Sequence, residues 1–185
     1  MAKMVILDRD GVINHRQDED VTTVEGWDPI AGSIEAIKRL KQAGYLVTLA
    51  TNHSGIARGY YTEADLVAMH RRMQKLLQAR GASVDGVFYC PHGPEDNCIC
   101  RKPKPGLLYQ IARKFGIDLS EAQLVGDNIA DVRAARMVNA RAVLVRTGNG
   151  EYTAQHFPEA LDVPIYDDLG HFVRETLKRD GVLNG

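Results

Sequence analysis

The sequence predicts an α/β fold in which a parallel β-sheet is covered by helices on both faces. Short apolar runs alternate with segments of helical periodicity along the 185 residues, and such alternation produces parallel sheets with right-handed crossovers. In addition, four chemically reactive residues each follow directly after or end an apolar run: Asp8, Thr51, Cys90 and Asp127. Because ligands bind at the carboxyl ends of the strands in such sheets, we expect these residues to share one edge.

Six strands are predicted from the apolar runs, at Met4–Leu7, 46–50, 87–89, 123–125, 142–145 and 164–166. Helices are predicted where apolar residues recur every three or four positions. They lie at Ser33–Gln42, between Thr62 and Gly81, and at Gly106–Phe115, 129–138 and 168–178. Thr62 followed by Asp65 is typical of a helix start. No linker or repeat interrupts these elements, so we expect residues 1–185 to form a single domain.

The composition is that of an ordinary globular protein, with 44% hydrophobic and 25% charged residues. A net charge of −1 lacks the basic excess of a nucleic-acid-binding protein, so no nucleic-acid partner is expected. No apolar run approaches the roughly 18 residues of a membrane span, and no membrane partner is expected. The first apolar run ends at Asp8 and is too short for a secretory signal, which predicts a cytoplasmic protein. No amphipathic surplus calls for an obligate partner, so we expect a monomer.

The run Asp8-Arg9-Asp10-Gly11 leaves the first predicted strand. Residues two apart on an extended chain point to the same side, so Asp8 and Asp10 are expected to face one site with Arg9 facing away. Two close carboxylates repel unless a cation relieves them. With Asp127 as a third oxygen ligand, the set suits Mg²⁺. The alternative for Asp8 alone is a turn residue that ends the strand.

Two further segments have the composition of a phosphate-binding site. The run Thr51-Asn52-His53-Ser54-Gly55 offers hydroxyl, amide and backbone N–H donors after the second strand. Lys102 lies in a proline-rich loop, where a fixed ammonium can neutralise a phosphoryl oxygen. The alternatives are a simple strand-to-loop turn for the first segment and a solvated basic loop for the second. Asp127 or Asn128 could equally serve as a helix N-cap.

The three cysteines of the chain are clustered with a histidine, as Cys90-Pro91-His92 and Cys98-Ile99-Cys100. Four soft or borderline ligands close a tetrahedral zinc site and leave no position for a reacting water. We therefore expect Cys90, His92, Cys98 and Cys100 to hold a structural Zn²⁺ that stabilises the loop 90–100. The alternative is a set of reduced cysteines packed near a loop.

Taken together, these motifs resemble the four motifs of the haloacid dehalogenase (HAD) superfamily, in order and in spacing. The residues that carry the resemblance are Asp8, Asp10, Thr51, Lys102, Gly126, Asp127 and Asp131. The resemblance implies a HAD-like Rossmannoid fold of three layers, with a parallel sheet, a zinc-stabilised loop and no large cap domain. It also implies Mg²⁺-dependent phosphatase activity.

The resemblance also implies a role for each motif. Asp8 would be the nucleophile that forms an aspartyl phosphate. Asp10 would protonate the leaving oxygen and then activate water. Mg²⁺ would be held by Asp8, the main-chain carbonyl of Asp10, and Asp127. Thr51 and Lys102 would bind the transferring phosphoryl oxygens. Asp131 would support Asp127 or the waters on the metal.

Within the superfamily, the loop and the run Ser54-Gly55-Ile56-Ala57-Arg58-Gly59 resemble a branch of small heptose bisphosphate phosphatases. The substrate implied is D-glycero-D-manno-heptose 1,7-bisphosphate, which would lose its 7-phosphate on the pathway to activated heptose for lipopolysaccharide and other surface glycans. The alternative branch acts on histidinol phosphate or another small phosphomonoester. The chain departs from the heptose branch at His53, usually Gln, and at Asn128, often Lys or Ser. It also departs in segment 17–23, the expected substrate loop.

Arg101 is expected to recognise the substrate through its second phosphate, because a guanidinium offers a bidentate fork. Arg58 is a second candidate for this contact. Asn52, His53, Ser54 and Asn128 complete the expected substrate-binding set. Two functions of other classes remain as alternatives: a zinc-dependent interaction module, and a catalytically silent fold that only binds. The filled set of catalytic positions argues against both.

Overall fold

The computed structural model describes residues 3–15 and 27–182, and it contains a six-stranded parallel sheet flanked by helices. The strands are β1 (Met4–Leu7), β2 (Leu46–Asn52), β3 (Gly86–Cys90), β4 (Ala122–Gly126), β5 (Arg141–Val145) and β6 (Ile165–Tyr166). The helices are α1 (Ser33–Gln42), α2 (Ser54–Ala57), α3 (Glu63–Ala79), α4 (Gly106–Phe115), α5 (Ile129–Met137), α6 (Gly150–His156) and α7 (Leu169–Arg179). Within the described residues, 3₁₀ turns lie at Pro94–Asp96, Leu119–Glu121 and Pro158–Asp162.

The strand order is β3-β2-β1-β4-β5-β6, and every neighbouring pair is parallel. β1 is an inner strand of the sheet. Its successive side chains point to opposite faces and therefore pack into two different hydrophobic clusters. Val5 and Leu7 pack with α1, α3 and α7, whereas Met4 and Ile6 pack with α4 and α5. All four are buried, as expected for a central strand covered on both faces. The predicted three-layer α/β fold is confirmed.

The predicted strands and long helices are all present, within a few residues of their expected bounds. Ser33–Gln42 and Gly106–Phe115 coincide with α1 and α4. The start of α3 is a capping box in which the Thr62 hydroxyl accepts from the Asp65 N–H and the Asp65 carboxylate accepts from Thr62. The helices α2 and α6 were not predicted, because each is short and neither shows an apolar period. Segment 17–23, the expected substrate loop, lies outside the described residues.

The helices of the described ranges include no candidate membrane span. None of those within 3–15 and 27–182 combines the length and the apolar character that a bilayer crossing requires. The longest, α3, spans Glu63–Ala79 and carries charged residues along its exposed side.

Candidate active site

The carboxyl ends of β1, β2 and β4 open into a cavity of about 260 Å³. All ten residues predicted for catalysis, phosphate or substrate binding and the Mg²⁺ site line it: Asp8, Asp10, Thr51, Asn52, His53, Ser54, Arg101, Lys102, Asp127 and Asn128. Arg58, the second candidate for substrate recognition, lines the same cavity. The expectation that strand ends bring these segments together is therefore confirmed.

Lys102 forms the electrostatic centre of the cavity floor. Its ammonium lies 3.1 Å from Asp8 Oδ1 and 2.6 Å from Asp131 Oδ1, and it also donates to the Ala50 carbonyl oxygen at 2.6 Å. Burial alone would lower the pKa of Lys102, but the charges of Asp131 and Asp8 raise it above its usual value. The lysine thus stays charged, although only 3% of its surface is exposed.

Asp8 stands directly after β1, and its backbone N–H donates to the Val125 carbonyl oxygen of β4 at 2.9 Å. This bond fixes the residue at the junction of the two central strands. Burial raises the pKa of the Asp8 carboxyl to about 6, although the Lys102 ammonium acts in the opposite direction. Any cation added beside Asp8 stabilises its charged form further.

Asp127 is buried after β4 and is held by the loop that follows β5 and by α6. Its Oδ2 accepts from the Asn149 N–H at 2.8 Å, and its carbonyl oxygen accepts from the Thr153 hydroxyl at 2.9 Å. Gly11 and Gly148 press against the carboxylate, with φ of 84° and 59°. A Cβ at either glycine would collide with Asp127. The backbone therefore packs directly against the Asp127 carboxylate at two positions where only glycine can be accommodated.

One feature of the aspartate pair differs from the prediction. Arg9 does not face away from the site: its Nε and Nη2 donate to Asp10 Oδ1 and Oδ2, at 2.9 and 3.0 Å. The extended-chain argument fails because the chain turns directly after β1, with the N–H groups of residues 12–14 donating to the Arg9 carbonyl oxygen. Burial alone would raise the pKa of Asp10, but Arg9 and the Asn14 amide lower it below the ordinary value.

Thr51 lies next to the last residue of β2, beside a buried histidine. Its hydroxyl lies 3.4 Å from His53 Nε2, and His53 Nδ1 lies 3.0 Å from the Tyr61 hydroxyl. Burial, aided by the charge of Arg9, holds the pKa of His53 well below its usual value. The imidazole is therefore neutral near pH 7. Like the Gln that the heptose branch usually has at this position, it offers hydrogen bonding without a positive charge.

Asn52 and Asn128 are tied up in structural hydrogen bonds at the rim. The Asn52 side chain donates to the Lys102 carbonyl oxygen and accepts from the Lys102 N–H, both at 3.0 Å. The Asn128 side chain caps α5 by accepting a hydrogen bond from the Ala130 N–H. This N-cap is the alternative role that the sequence left open for Asn128. Asp131 completes that cap by accepting from the Asn128 N–H. The hydrogen bonds of Asp131 thus go to Lys102 and to the start of α5, whereas the sequence suggested support of Asp127 or of the waters on the metal.

The carboxylates fit a hard divalent cation. Oxygen atoms of Asp8, Asp127 and Asp131 lie within 4.8 Å of one another. Mg²⁺ takes carboxylate oxygens together with several waters in an octahedral arrangement. The Asp10 main-chain carbonyl, predicted as a further ligand, belongs to the turn that follows Asp8.

The Cys/His loop brings its four predicted ligands together. Cys90 Sγ lies 3.1 Å from Cys100 Sγ and 3.6 Å from Cys98 Sγ, and His92 Nδ1 lies 3.2 Å from Cys100 Sγ. None of the three thiols is in a disulfide. A tetrahedron with Zn–S bonds of about 2.3 Å has edges of about 3.8 Å, so the ligand atoms surround a space of the size of Zn²⁺.

The same loop fixes the orientation of Arg101. The Arg101 N–H donates to Cys98 Sγ at 3.4 Å, and its Nη1 donates to the His92 carbonyl oxygen at 3.2 Å. Arg101 and Lys102 follow the last cysteine directly, so whatever holds the loop also holds these two cations at the cavity.

Removing metal from this loop should destabilise the protein strongly. The loop Gly93–Asn97 is largely exposed and has little apolar material of its own. We expect a chelator to cost on the order of 3 kcal/mol or more of stability, which is about 6–12 °C in melting temperature for a chain of this size. Calorimetry with metal analysis of the same samples measures both quantities. Stoichiometric Zn²⁺ should restore the transition, whereas Mg²⁺ should not. An unchanged melting temperature in metal-free protein would contradict a structural role.

Several residues around the cavity were not predicted as site residues, and three of them bear on its chemistry. Arg9 and Tyr61 line it, and His70 on α3 contacts Arg9 from behind. His70 follows Met69 on the apolar side of α3 and is 7% exposed. The only available signal was a histidine on an otherwise apolar helix face, and that pattern is typical of ordinary core residues as well.

This strand order, with Asp8 and Asp10 after β1 and Lys102 beside Asp8, is typical of phosphatases of the HAD superfamily. A family model described as HAD-hydrolase-like matches residues 99–172. A relative from Pseudomonas aeruginosa, named D-glycero-beta-D-manno-heptose-1,7-bisphosphate 7-phosphatase, is 53% identical over 167 residues, covering 90% of this chain and 93% of that protein. The chain belongs to this family of HAD phosphatases.

Two further comparisons agree. A relative of the same name from Pseudomonas putida is 49% identical over 176 residues, covering 95% of this chain and 99% of that protein. The crystal structure of D,D-heptose 1,7-bisphosphate phosphatase from B. bronchiseptica, complexed with magnesium and phosphate, superposes with a TM-score of 0.90. That protein is 44% identical, and the match covers 96% of this chain and 99% of the other.

Proposed function

We propose that the protein hydrolyses the 7-phosphate of D-glycero-β-D-manno-heptose 1,7-bisphosphate with Mg²⁺, on the way to activated heptose for surface glycans. The observation that carries the proposal is the convergence of Asp8, Asp10 and Lys102 on one cavity whose rim holds Arg58 and Arg101. A cavity lined by Arg58 and Arg101 in addition to Lys102 suits a substrate with two phosphates. The names of the relatives favour the β anomer, which the sequence alone left open.

The cation would be held by Asp8, Asp127 and the Asp10 main-chain carbonyl, with Asp131 nearby. Bound Mg²⁺ offsets the negative charge of the phosphate and so permits a carboxylate to approach it. Gly11 and Gly148 keep the Asp127 carboxylate in place for this purpose. The bound magnesium in the B. bronchiseptica relative supports the assignment.

The reaction proceeds in two displacements. The Asp8 carboxylate attacks phosphorus, the bond to the sugar oxygen breaks, and Asp10 gives that oxygen a proton. A water then attacks the phosphorus of the aspartyl phosphate while Asp10 takes its proton, which frees Asp8 and inorganic phosphate. Lys102 and Thr51 bind the phosphoryl oxygens as their charge rearranges. The approach of a dianionic phosphate favours the protonated form of Asp10, which counteracts the effect of Arg9.

His53, Ser54, Asn52 and Asn128 complete the proposed substrate site. His53 is neutral and buried beside Thr51, so it contributes hydrogen bonding and shape. Asn52 acts through the backbone of Lys102, which it holds by two hydrogen bonds. Asn128 stands at the start of α5, where the positive end of the helix dipole favours a nearby anion.

The substrate assignment is tested by phosphate release with Mg²⁺, comparing kcat/KM for heptose 1,7-bisphosphate, histidinol phosphate and fructose 1,6-bisphosphate. We expect a preference of more than about a hundredfold for heptose, which equals about 2.7 kcal/mol in the transition state. Higher efficiency on histidinol phosphate would favour the alternative branch. Equal efficiencies would contradict the sugar assignment and leave the phosphatase chemistry in place.

Replacing Arg101 should separate binding of the second phosphate from catalysis. In Arg101→Met we expect KM for the bisphosphate to rise at least about tenfold, since a charge-assisted hydrogen bond contributes about 1.5–3 kcal/mol. KM for a simple monophosphate ester should change less than about twofold. Steady-state kinetics on both substrates measures this, with Arg141→Met as control, because Arg141 is exposed at the opposite ends of the strands. Equal losses on the two substrates would refute this role.

We further propose that the chain works as one domain, as a monomer and in the cytoplasm. Zinc ligation needs reduced thiols, and the reducing cytoplasm maintains them. The small-molecule cavity and the net charge of −1 give no reason to expect a nucleic-acid partner.

A further inference from the structure

The Arg9 side chain is buried behind the cavity and makes contacts along its whole guanidinium. Only 7% of the residue is exposed. Nε and Nη2 donate to the two carboxylate oxygens of Asp10. The remaining nitrogen, Nη1, lies 3.3 Å from His70 Nε2 on α3. The guanidinium therefore bridges a reacting carboxylate and a histidine that does not line the cavity.

The chemistry of the bridge determines the state of His70. A guanidinium has donors only, so the His70 Nε2 atom must accept the hydrogen bond from Arg9. The ring proton then lies on Nδ1, and the imidazole is neutral. Its surroundings favour this state: burial and the Arg9 charge lower the pKa of His70 to about 3.

His70 is itself fixed by the elements around it. It stands in the middle of α3 between the buried Met69 and Met73 positions, and the rings of His53 and Tyr89 lie 5.7 and 5.8 Å from its own. Its Nε2 is thus a stationary acceptor. Because a guanidinium is planar and rigid, anchoring Nη1 sets the direction of the Nε and Nη2 fork.

We propose that His70 is a positioning residue that acts through Arg9 to orient the Asp10 carboxylate for proton transfer. Both oxygens of Asp10 are held by the Arg9 fork, and Asn14 Nδ2 donates to Oδ1 at 2.8 Å. With the His70 acceptor removed, Arg9 is free to rotate, and Asp10 rotates with it. The inference rests on the proposed role of Asp10 as acid and base.

The test compares two substrates that differ in their need for an acid. A sugar alcohol leaves with a proton, whereas p-nitrophenolate leaves without one. Because kcat/KM reports the steps through loss of the leaving group, only the sugar phosphate should be sensitive to the placement of Asp10. Three variants are matched: in His70→Gln the amide oxygen reaches the Nε2 position, in His70→Asn it stops at the Nδ1 position, and His70→Leu has no acceptor.

We expect His70→Asn and His70→Leu to lower kcat/KM for fructose 1,6-bisphosphate or the heptose bisphosphate by about ten- to a hundredfold, a part of the effect of general acid catalysis. For p-nitrophenyl phosphate the loss should stay below about threefold, and His70→Gln should stay within about threefold of wild type on both substrates. Circular dichroism and melting temperature accompany each assay. If His70→Leu does not fold, the Asn and Gln pair carries the comparison.

Equal losses on the two substrates, or a Gln variant as impaired as the Asn variant, would overturn the inference in favour of a merely structural His70. Unimpaired Asn and Leu variants would overturn it as well. Wild-type protein that releases no phosphate from any ester would instead contradict the proposed function. The two failures are therefore distinguished before any variant is compared.

Discussion

Asp8→Asn is expected to lower turnover by a factor of about 10⁴ or more, as the loss of a covalent nucleophile does. The amide has nearly the shape of the carboxylate but cannot form an acyl phosphate. The fold should persist, because Lys102 retains its 2.6 Å ion pair with Asp131. The hydrogen bond from the Asp8 backbone N–H to the Val125 carbonyl oxygen does not depend on the Asp8 side chain. Phosphate release with Mg²⁺ measures the first effect and calorimetry the second.

The control for this variant is chemical. Rapid acid quench of the wild-type reaction, followed by mass analysis of peptides, should place the phosphate on Asp8. Asp10→Asn should instead leave phosphorylation of Asp8 detectable while slowing its hydrolysis, since Asp10 activates the water in the second displacement. Asp8→Asn protein with more than a few per cent of wild-type turnover would rule out the nucleophile assignment.

Lys102→Met is expected to lower the free energy of unfolding by about 3–5 kcal/mol, because breaking a buried ion pair leaves a charge without its partner. Asp131 is 2% exposed and faces Lys102 directly, and Asp8 is close to the same ammonium. Denaturant unfolding in buffer without added Mg²⁺, with the zinc content of each sample checked, measures the effect without a contribution from Mg²⁺. The variant should also lose most of its phosphatase activity.

Two comparisons isolate the ion pair. Lys104→Met removes a charge from an exposed position in the same loop and should change stability by less than about 0.5 kcal/mol. Lys102→Met combined with Asp131→Asn should be less destabilised than the sum of the single variants, because neighbouring partners are not additive. Additive losses would show that Lys102 stabilises the fold by packing alone.

The arrangement of the sheet could be predicted because its signals are local. The Ser33–Gln42 and Gly106–Phe115 periods are followed by glycines at positions 44 and 116, whose positive φ values of 80° and 64° are typical of the residue after a helix. The strand-end rule then brings Asp8, Thr51 and Asp127 to one edge without knowledge of any long-range contact. The Cys/His loop follows from ligand spacing alone.

The turn after β1 and the second layer of contacts could not be predicted in this way. The position of Arg9 depends on a tight turn closed by Gly11, and no local pattern distinguishes it from continued strand. The role of His70 depends on α3 packing beside Arg9, which lies 61 positions earlier in the sequence. The contact of Tyr61 with His53 depends on how the chain turns between β2 and α3, and no residue pattern in that segment predicts it. Asn128 has the same chemistry as an N-cap and as a phosphate ligand, so the sequence left both roles open.

The central place of β1 has a consequence for the order in which the chain acquires activity. Leu7 pairs with Leu49, 42 residues later (49 − 7), and with Val125, 118 residues later (125 − 7). Pairings so distant along the chain are slow to form. Asp8 directly follows β1, and during synthesis β1 can pair with β4 only after β4 has left the ribosome. Recovery of phosphatase activity on refolding consequently reports the formation of the complete sheet, whereas circular dichroism of the helices reports only the formation of individual elements.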